Sequence, residues 1–228
     1  MNILGIEKVS LVDYPGKVCS TIFTGGCDFR CVFCHNSGIV NEDYQPISND
    51  EIFEYLESRK GLIDAVTISG GEPTLQKDLK EFIAKVRLMG FLVKLDTNGT
   101  MPNILKDLLD KKLLDYVAMD IKNCFDSYGE IIGNPSFDVS KVKESLEILR
   151  KSKVPYELRT TLVDFYHTPE TITKMAEELK GEKTLFLQKF KDTGTCIESN
   201  LEPVSLEKAR EFQQILQTTI KNVELRGY

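Results

Sequence analysis

Short apolar runs and amphipathic runs alternate about six times along the chain, and this alternation limits the fold more than any other feature. The apolar runs are rich in β-branched and aromatic residues and predict strands, whereas the runs between them repeat hydrophobic residues at helical spacing. The predicted strands cover residues 18–24, 64–70, 91–97, 115–122, 155–163, 183–190 and 222–228, and the predicted helices cover residues 48–60, 74–90, 101–112, 138–152, 168–180 and 205–220. This order predicts parallel strands joined by crossover helices, and therefore an α/β fold.

The number of repeating units restricts the α/β architectures further. Each unit spans roughly 25 to 35 residues, which is enough for one crossover connection. We find no linker or low-complexity segment, so the 228 residues are expected to form one domain. Six units are fewer than the eight of a closed barrel, so the periodicity alone allows both an open doubly wound sheet and an incomplete barrel.

Charge and hydropathy argue against several classes of function. The formal net charge is −6 without a long basic run, which argues against a nucleic-acid partner. We find no apolar run of membrane-spanning length and no signal-peptide pattern, so we expect no membrane association and a cytoplasmic location. In such a reducing compartment, the six cysteines are not expected to form a disulfide framework.

Three of the cysteines lie within eight positions, in the run "CDFRCVFC" formed by Cys27, Cys31 and Cys34. A structural zinc site usually has four protein ligands, and recruiting His35 is awkward because it directly follows Cys34. Thiolates are the usual ligands of iron–sulfur clusters, and three of them leave one iron of a cubane open to a small molecule. The cysteine run therefore favours such a cluster over zinc. The remaining cysteines are expected to be buried or unreactive: Cys19, Cys124 and Cys196.

Polar residues recur where the predicted strands end. In parallel α/β folds, ligands bind at the carboxyl ends of the strands, on the loops that follow. The cysteine run follows the first predicted strand, and five polar runs fall at or near the ends of the later ones: "GGEPT" (70–74), "DTNG" (96–99), "DIKN" (120–123), "RTT" (159–161) and "LQKF" (187–190). We therefore expect these runs to gather at one edge of the sheet.

The spacing C-x-x-x-C-x-aromatic-C, with Phe33 as the aromatic residue, resembles the signature of the radical S-adenosylmethionine (radical SAM) enzymes. The resemblance implies a [4Fe–4S] cluster bound by Cys27, Cys31 and Cys34, whose open iron binds the amine and carboxylate of S-adenosylmethionine. It also implies an α/β fold that is a partial (β/α)6 TIM-like barrel of the radical SAM type. A single radical SAM domain over residues 1–228 would fit the six predicted units.

The run "SGGEPT" (69–74) resembles the second motif of these enzymes, which contacts the methionine amine. The resemblance assigns cofactor binding to Gly70, Gly71 and Glu72. Paired glycines allow carbonyls to come close to a ligand, and Glu72 adds negative charge near an ammonium group. The structural alternative is a plain turn from strand to helix, with Pro73 at the helix start.

Two further runs resemble those of glycyl-radical activating enzymes. Asp96 and Thr97 of "DTNG" match residues that lie near the cofactor and a cation, although Asn-Gly is also a common turn pair. Asp120 and Lys122 are predicted to share one face of a strand, where Lys122 would meet the cofactor carboxylate and Asp120 the cofactor's polar groups; the alternative is a surface ion pair.

The fifth and sixth predicted strands add Arg159 and Gln188 to the cofactor-binding set. Activating enzymes carry a histidine near the end of the sixth strand that approaches the cofactor. This chain has Gln188 in that run instead, so its contact with the cofactor departs from the family pattern.

The runs "VDYPGK" (12–17) and "CHN" (34–36) resemble activating enzymes most closely, especially the group labelled anaerobic ribonucleoside-triphosphate reductase activating proteins. This resemblance implies reductive cleavage of S-adenosylmethionine and installation of a glycyl radical on a partner enzyme. The electron would come from a low-potential donor such as flavodoxin or ferredoxin. Asp13 matches a residue that contacts the substrate peptide, and its alternative is a turn residue before Pro15.

Two other functions fit the same residues less well. One is a short radical SAM enzyme that acts on a small molecule, such as a deazapurine-forming synthase. The other is a non-catalytic interaction protein that carries zinc or a cluster. The activating enzyme is favoured because six units leave an open barrel face that a protein loop can enter.

Overall fold

The computed structural model describes residues 1–34, 36–192, 194 and 196–228. The chain folds into two compact units. The first unit comprises Met1–Asp28, Gly38–Ala118 and Lys141–Pro155, and the second comprises Phe29–Ser37, Met119–Ser140 and Tyr156–Tyr228.

Strands and helices alternate along most of the described chain. The strands are β1 (Ile3–Ser10), β2 (Cys19–Thr24), β3 (Ala65–Gly70), β4 (Leu92–Thr97), β5 (Tyr116–Asp120), β6 (Tyr156–Leu162), β7 (Thr184–Lys189) and β8 (Asn222–Arg226). The helices are α1 (Ser37–Val40), α2 (Asn49–Glu57), α3 (Leu79–Leu88), α4 (Pro102–Asp110), α5 (Tyr128–Ile131), α6 (Ser140–Lys151), α7 (Pro169–Glu178) and α8 (Leu206–Gln217). Every predicted strand and helix is present, with ends that shift by a few residues.

In the first unit, β2, β3 and β4 pair in parallel and in chain order. Their central residues are β-branched or aliphatic and fully buried, such as Ile22, Val66 and Leu95. The prediction missed β1, which pairs antiparallel with β2. The cysteine run therefore follows the second strand of the chain rather than the first.

The helix predicted over 74–90 begins later than the pattern indicates. Residues Pro73–Leu75 form a single 3₁₀ turn, and Gln76 then adopts an extended backbone with ψ 120°. Helix α3 starts only at Leu79. The loop after β3 is therefore longer than predicted, and Gly71 and Glu72 lie in that loop ahead of the turn.

In the second unit, β6, β7 and β8 pair in parallel and in chain order. Helix α7 begins at Pro169 behind a capping box, in which Thr168 and Thr171 exchange side-chain to backbone hydrogen bonds. No helix among the described residues is long and apolar enough to cross a membrane.

Candidate cofactor site

In the first unit, one face of the sheet is polar at its centre. The strand register places Thr21, Thr67 and Lys94 side by side, and each is at most 2% exposed. The Thr21 hydroxyl donates to the Asp13 carboxylate at 2.7 Å, and the Thr67 hydroxyl donates to the Asp13 carbonyl at 3.4 Å. Asp13 thus packs onto this face from the segment that enters β2, rather than from a loop at the carboxyl ends of the strands.

The glycine pair after β3 lies directly against the loop after β2. A Cβ added to Gly71 would stand 1.9 Å from the Gly26 carbonyl oxygen, and one added to Gly70 would stand 2.3 Å from the Thr24 nitrogen. The Gly71 amide donates to the Thr24 carbonyl, and the Glu72 amide donates to the Gly26 carbonyl, both at 2.8 Å. Only glycine allows this approach at positions 70 and 71.

Glu72 lies fully buried behind the glycine pair. One carboxylate oxygen accepts from the Thr74 amide and hydroxyl and from the Thr97 hydroxyl, and the other accepts from the Asn98 amide at 2.7 Å. Burial raises the pKa of Glu72 to about 7, although these hydrogen bonds oppose the shift. The carboxylate therefore ties the loop after β3 to the loop after β4.

Asp96 is held by partners from two neighbouring strands. Its carboxylate pairs with the Lys94 ammonium and accepts a hydrogen bond from the Ser69 hydroxyl at 3.1 Å. Lys94 was missed at the level of sequence, although a lysine inside the apolar run "FLVKLDT" was a usable signal. The Lys94 ammonium therefore balances the negative charge of Asp96 at the carboxyl end of β4.

Asn98, also missed by the sequence prediction, reaches the first cysteine. Its side-chain amide donates to the Asp28 carboxylate at 2.8 Å and lies 3.9 Å from the Cys27 sulfur. Its side-chain oxygen accepts from the amide and hydroxyl of Thr100, which determines which way the amide points. Asn98 itself is 6% exposed, whereas Cys27 is partly exposed and Asp28 is exposed.

In the second unit, Asp120 stands between two cations. It accepts from the Lys122 ammonium at 2.8 Å and from the Arg159 guanidinium at 2.9 Å. Burial alone would raise the pKa of Asp120, but Arg159 and Lys122 outweigh that effect and hold it well below its usual range. Lys122 lies beyond the end of β5, so the predicted shared strand face is wrong. The two side chains form an ion pair, as in the structural alternative, but the pair is mostly buried rather than at the surface.

Lys122 is also fixed through its backbone by His167, which is fully buried. The His167 Nδ1 accepts from the Val163 amide at 3.0 Å, so its Nε2 carries the proton and donates to the Lys122 carbonyl at 3.0 Å. Burial lowers the pKa of His167, which keeps the ring neutral. Both ring nitrogens are thus engaged by backbone groups. His35, which was considered above as a zinc ligand, lies outside the described residues.

Cys31 and Cys34 lie in a short loop of the second unit, where the Cys34 amide donates to the Cys31 carbonyl at 2.9 Å. Burial raises the pKa of the Cys31 thiol to about 11, partly opposed by Lys122. No disulfide joins the six cysteines, and Cys19 and Cys124 are fully buried. Cys196 is partly exposed, and its sulfur lies 3.8 Å from the Phe33 carbonyl.

The β7 and β8 strands place Gln188 next to Arg226 in register. Gln188 is partly exposed near the end of β7, which is compatible with its predicted position at a strand end. Arg226 donates to both oxygens of the buried Glu157 and covers the ring of Phe186 at 3.2 Å. The sequence prediction missed this second charged pair.

The donor set fits the implied cofactors in chemical type. Thiolates are the usual ligands of iron–sulfur clusters, and Cys27, Cys31 and Cys34 fall in one short run without a disulfide among them. Among the described residues, no three or more His, Cys, Asp or Glu side chains already converge as a metal-binding group. The assignment of Cys27, Cys31 and Cys34 as ligands therefore stays a prediction from their spacing.

The family model of the radical SAM superfamily matches residues 21–179, well over half of the chain. The chain belongs to the radical SAM superfamily, whose members use a [4Fe–4S] cluster and S-adenosylmethionine, so it is an enzyme with these cofactors. The predicted fold class, an α/β fold of the radical SAM type, is confirmed.

Two curated relatives of this chain are named as activating enzymes. A protein of Methanocaldococcus jannaschii described as a glycyl-radical enzyme activating enzyme is 35% identical over 97% of this chain and 94% of its own length. The pyruvate formate-lyase-activating enzyme of Staphylococcus aureus is 29% identical over 71% of this chain and 68% of its own length.

Solved structures share the fold at low identity. A radical SAM methyltransferase from Sphaerobacter thermophilus gives a TM-score of 0.70 at 15% identity and covers 94% of this chain and 68% of its own. SuiB from Streptococcus suis, bound to S-adenosylmethionine, gives 0.67 at 15% identity over 90% of this chain and 49% of its own. At such identity the likeness concerns the fold alone.

Proposed function

We propose that this protein is an activating enzyme that reductively cleaves S-adenosylmethionine and installs a glycyl radical on a partner enzyme, the anaerobic ribonucleoside-triphosphate reductase. The observation that carries the proposal is the 35% identity to the Methanocaldococcus jannaschii activating enzyme, which extends over nearly the whole of both chains. The "VDYPGK" and "CHN" runs support the choice of partner.

The three clustered thiols are the proposed cluster ligands. Cys27, Cys31 and Cys34 bind as thiolates, so cluster assembly displaces a proton from the Cys31 thiol, whose pKa burial raises to about 11. When bound, the cluster and S-adenosylmethionine supply a 5′-deoxyadenosyl radical that removes a hydrogen atom. Because the radical removes that atom itself, no side chain is required as a general base.

In this proposal, backbone carbonyls bind the amine of the cofactor's methionine moiety, and positively charged side chains bind its carboxylate. The carbonyls of Gly70 and Gly71 are proposed to accept from its amine, and Glu72 holds that loop against the loop after β4. Lys122 and Arg159 both pair with Asp120. We propose that these two cations also bind the cofactor's carboxylate.

The remaining predicted residues have supporting roles in this proposal. Asp96 and Thr97 shape the carboxyl end of β4, where Thr97 bonds to Glu72 and Asp96 to Lys94. Gln188 contributes a neutral amide at the end of β7. Asp13 is proposed to contact the partner's glycine-bearing segment, and its carboxylate is already oriented by Thr21.

The cellular setting follows from the chemistry. A low-potential flavodoxin or ferredoxin supplies the electron, and the cytosol keeps the cysteines reduced. We propose that residues 1–228 form a single radical SAM domain.

The test is electron paramagnetic resonance of the anaerobically reconstituted protein, mixed with S-adenosylmethionine, a reductant and the anaerobic ribonucleotide reductase encoded in the same genome. A glycyl radical on the reductase, with 5′-deoxyadenosine as a product, is the expected result. Cleavage without a radical on any encoded glycyl-radical enzyme would favour a small-molecule substrate. Colourless protein with stoichiometric zinc would remove the enzymatic proposal altogether.

A further inference from the structure

The side chain of Asn98 lies between the Cys27 sulfur and the Asp28 carboxylate. Its Nδ2 is 2.8 Å from the Asp28 Oδ1 and 3.9 Å from the Cys27 Sγ, and the same Asp28 oxygen is 3.9 Å from that sulfur. Nδ2 carries two hydrogens, so one amide group serves both neighbours. The loop after β4 is thereby bonded to the loop that carries the first cysteine.

The orientation of this amide is determined by a second set of bonds. The Asn98 Oδ1 accepts from the Thr100 amide at 3.0 Å and from the Thr100 hydroxyl at 2.8 Å, so Nδ2 must face Cys27 and Asp28. The Asn98 backbone amide is itself bonded to Glu72 at 2.7 Å. Asn98 is therefore held from three directions, and its N–H groups are aimed at the cysteine loop.

We infer that Asn98 is a positioning residue for Cys27 that raises the reduction potential of the cluster. A one-electron reduction adds negative charge to the iron–sulfur core and its thiolates, and N–H groups directed at sulfur stabilise that charge. The Asp28 carboxylate acts in the opposite direction because it is a negative charge beside the same sulfur. The Asn98 amide offsets that carboxylate at the place where it approaches the sulfur.

This inference rests on the proposed role of Cys27 as a cluster ligand, and two variants test it. In Asn98→Ala the whole amide is lost. Asn98→Asp keeps the Oδ1 that accepts from Thr100 but replaces the N–H donors with a second negative charge. We expect both to lower the midpoint potential of the reconstituted cluster, with Asn98→Asp lower than Asn98→Ala. The expected tenfold decrease in the reduced-to-oxidised ratio at a fixed ambient potential corresponds to about 59 mV for one electron.

A matched control separates this effect from simple disturbance of the loop. Ser145 is fully buried and donates to the Gly99 carbonyl at 2.7 Å, so Ser145→Ala removes a buried hydrogen bond to the same loop without touching the cysteine run. We expect Ser145→Ala to lower thermal stability and to leave the midpoint potential unchanged.

The measurement is a redox titration of each reconstituted protein, monitored by the electron paramagnetic resonance signal of the reduced cluster. Unchanged midpoints in both Asn98 variants would overturn the inference, as would an equal shift in Ser145→Ala. If Asn98→Ala does not retain its cluster, Asn98→Asp still decides the question, because its turn bonds to Thr100 are preserved. Absence of a cluster in the unmodified protein would instead refute the proposed function.

Discussion

A single buried carboxylate, that of Glu72, connects two loops of the candidate site. It accepts hydrogen bonds from Thr74, Thr97 and Asn98, and no part of it reaches solvent. Burial makes the ionised form costly, which raises its pKa from 4.5 to about 7. The residue thus links the stability of the site loops to pH.

The sign of this linkage can be tested on the cluster-free protein. The unfolded-state carboxyl ionises near its ordinary pKa, while the folded-state carboxyl resists ionisation until about pH 7, so its contribution to stability is present at low pH and lost as pH rises. Relative to Glu72→Gln, the unmodified protein should lose roughly 2 to 3 kcal/mol of unfolding free energy between pH 5 and pH 8. Urea unfolding measures the unfolding free energy of both proteins across this pH range. If the value for the unmodified protein minus that for Glu72→Gln stayed constant or rose with pH, the predicted linkage would be wrong.

Two buried cysteines, one inside the cysteine run and one outside it, test which thiols bind the cluster. Cys31 belongs to the clustered run, whereas Cys124 is a fully buried cysteine outside it. Cys31→Ala should retain no intact cluster and release no 5′-deoxyadenosine, while Cys124→Ala should keep about four irons per chain and most of the cleavage activity. Iron content and product analysis after anaerobic reconstitution measure both. Equal loss in the two variants would contradict the ligand assignment.

At the scale of elements, the contact between the loops after β2 and β3 depends on the absence of one side chain. The Gly71 backbone lies so close to the Gly26 carbonyl that a Cβ would come within 1.9 Å of its oxygen. Both partners are backbone atoms that are also hydrogen-bonded through Thr24 and Glu72. At this contact, therefore, no flexible side chain can move aside to make room for a methyl group.

Gly71→Ala is expected to force these loops apart and to lower the free energy of unfolding by about 3 kcal/mol, the upper end of the usual cost of overpacking. Gly5→Ala is the control, because a Cβ on Gly5 of β1 would meet Phe23 at an ordinary 3.6 Å. Denaturant unfolding of the two cluster-free variants measures the contrast. A Gly71→Ala protein as stable as the control would show that the loops have another arrangement.

The elements also show where periodicity was informative and where it was not. All the predicted strands and helices are present because each is long and its pattern is local. Strand β1 was missed because five of the eight residues of "ILGIEKVS" are exposed or partly buried, and its identity as a strand depends on pairing with β2. The late start of α3 at Leu79 depends on the 3₁₀ turn that Pro73 begins.

At the scale of the whole molecule, binding of S-adenosylmethionine to the folded state alone must stabilise it. At a ligand concentration 100 times the dissociation constant, the free energy of unfolding should rise by about 2.7 kcal/mol. Lys122 is the proposed partner of the cofactor carboxylate, so Lys122→Met should weaken binding at least tenfold, about 1.4 kcal/mol.

Thermal unfolding of the reconstituted protein with increasing S-adenosylmethionine measures this stabilisation. Lys208→Met is the control, because Lys208 pairs with Asp164 in the same unit, outside the candidate site. The control should respond to the cofactor as the unmodified protein does. A full response in Lys122→Met would remove Lys122 from the cofactor site.

The sequence by itself determined the order of strands and helices and the presence of a cysteine run with radical SAM spacing, because both are recorded in residues close together in the chain. Only the tertiary structure decided which side chains meet at the strand ends. The bond between Asn98 and Asp28 joins residues 70 positions apart, and that between Glu72 and Asn98 joins residues 26 apart. Such contacts depend on strand register and on backbone approach at single glycines, which no local pattern records.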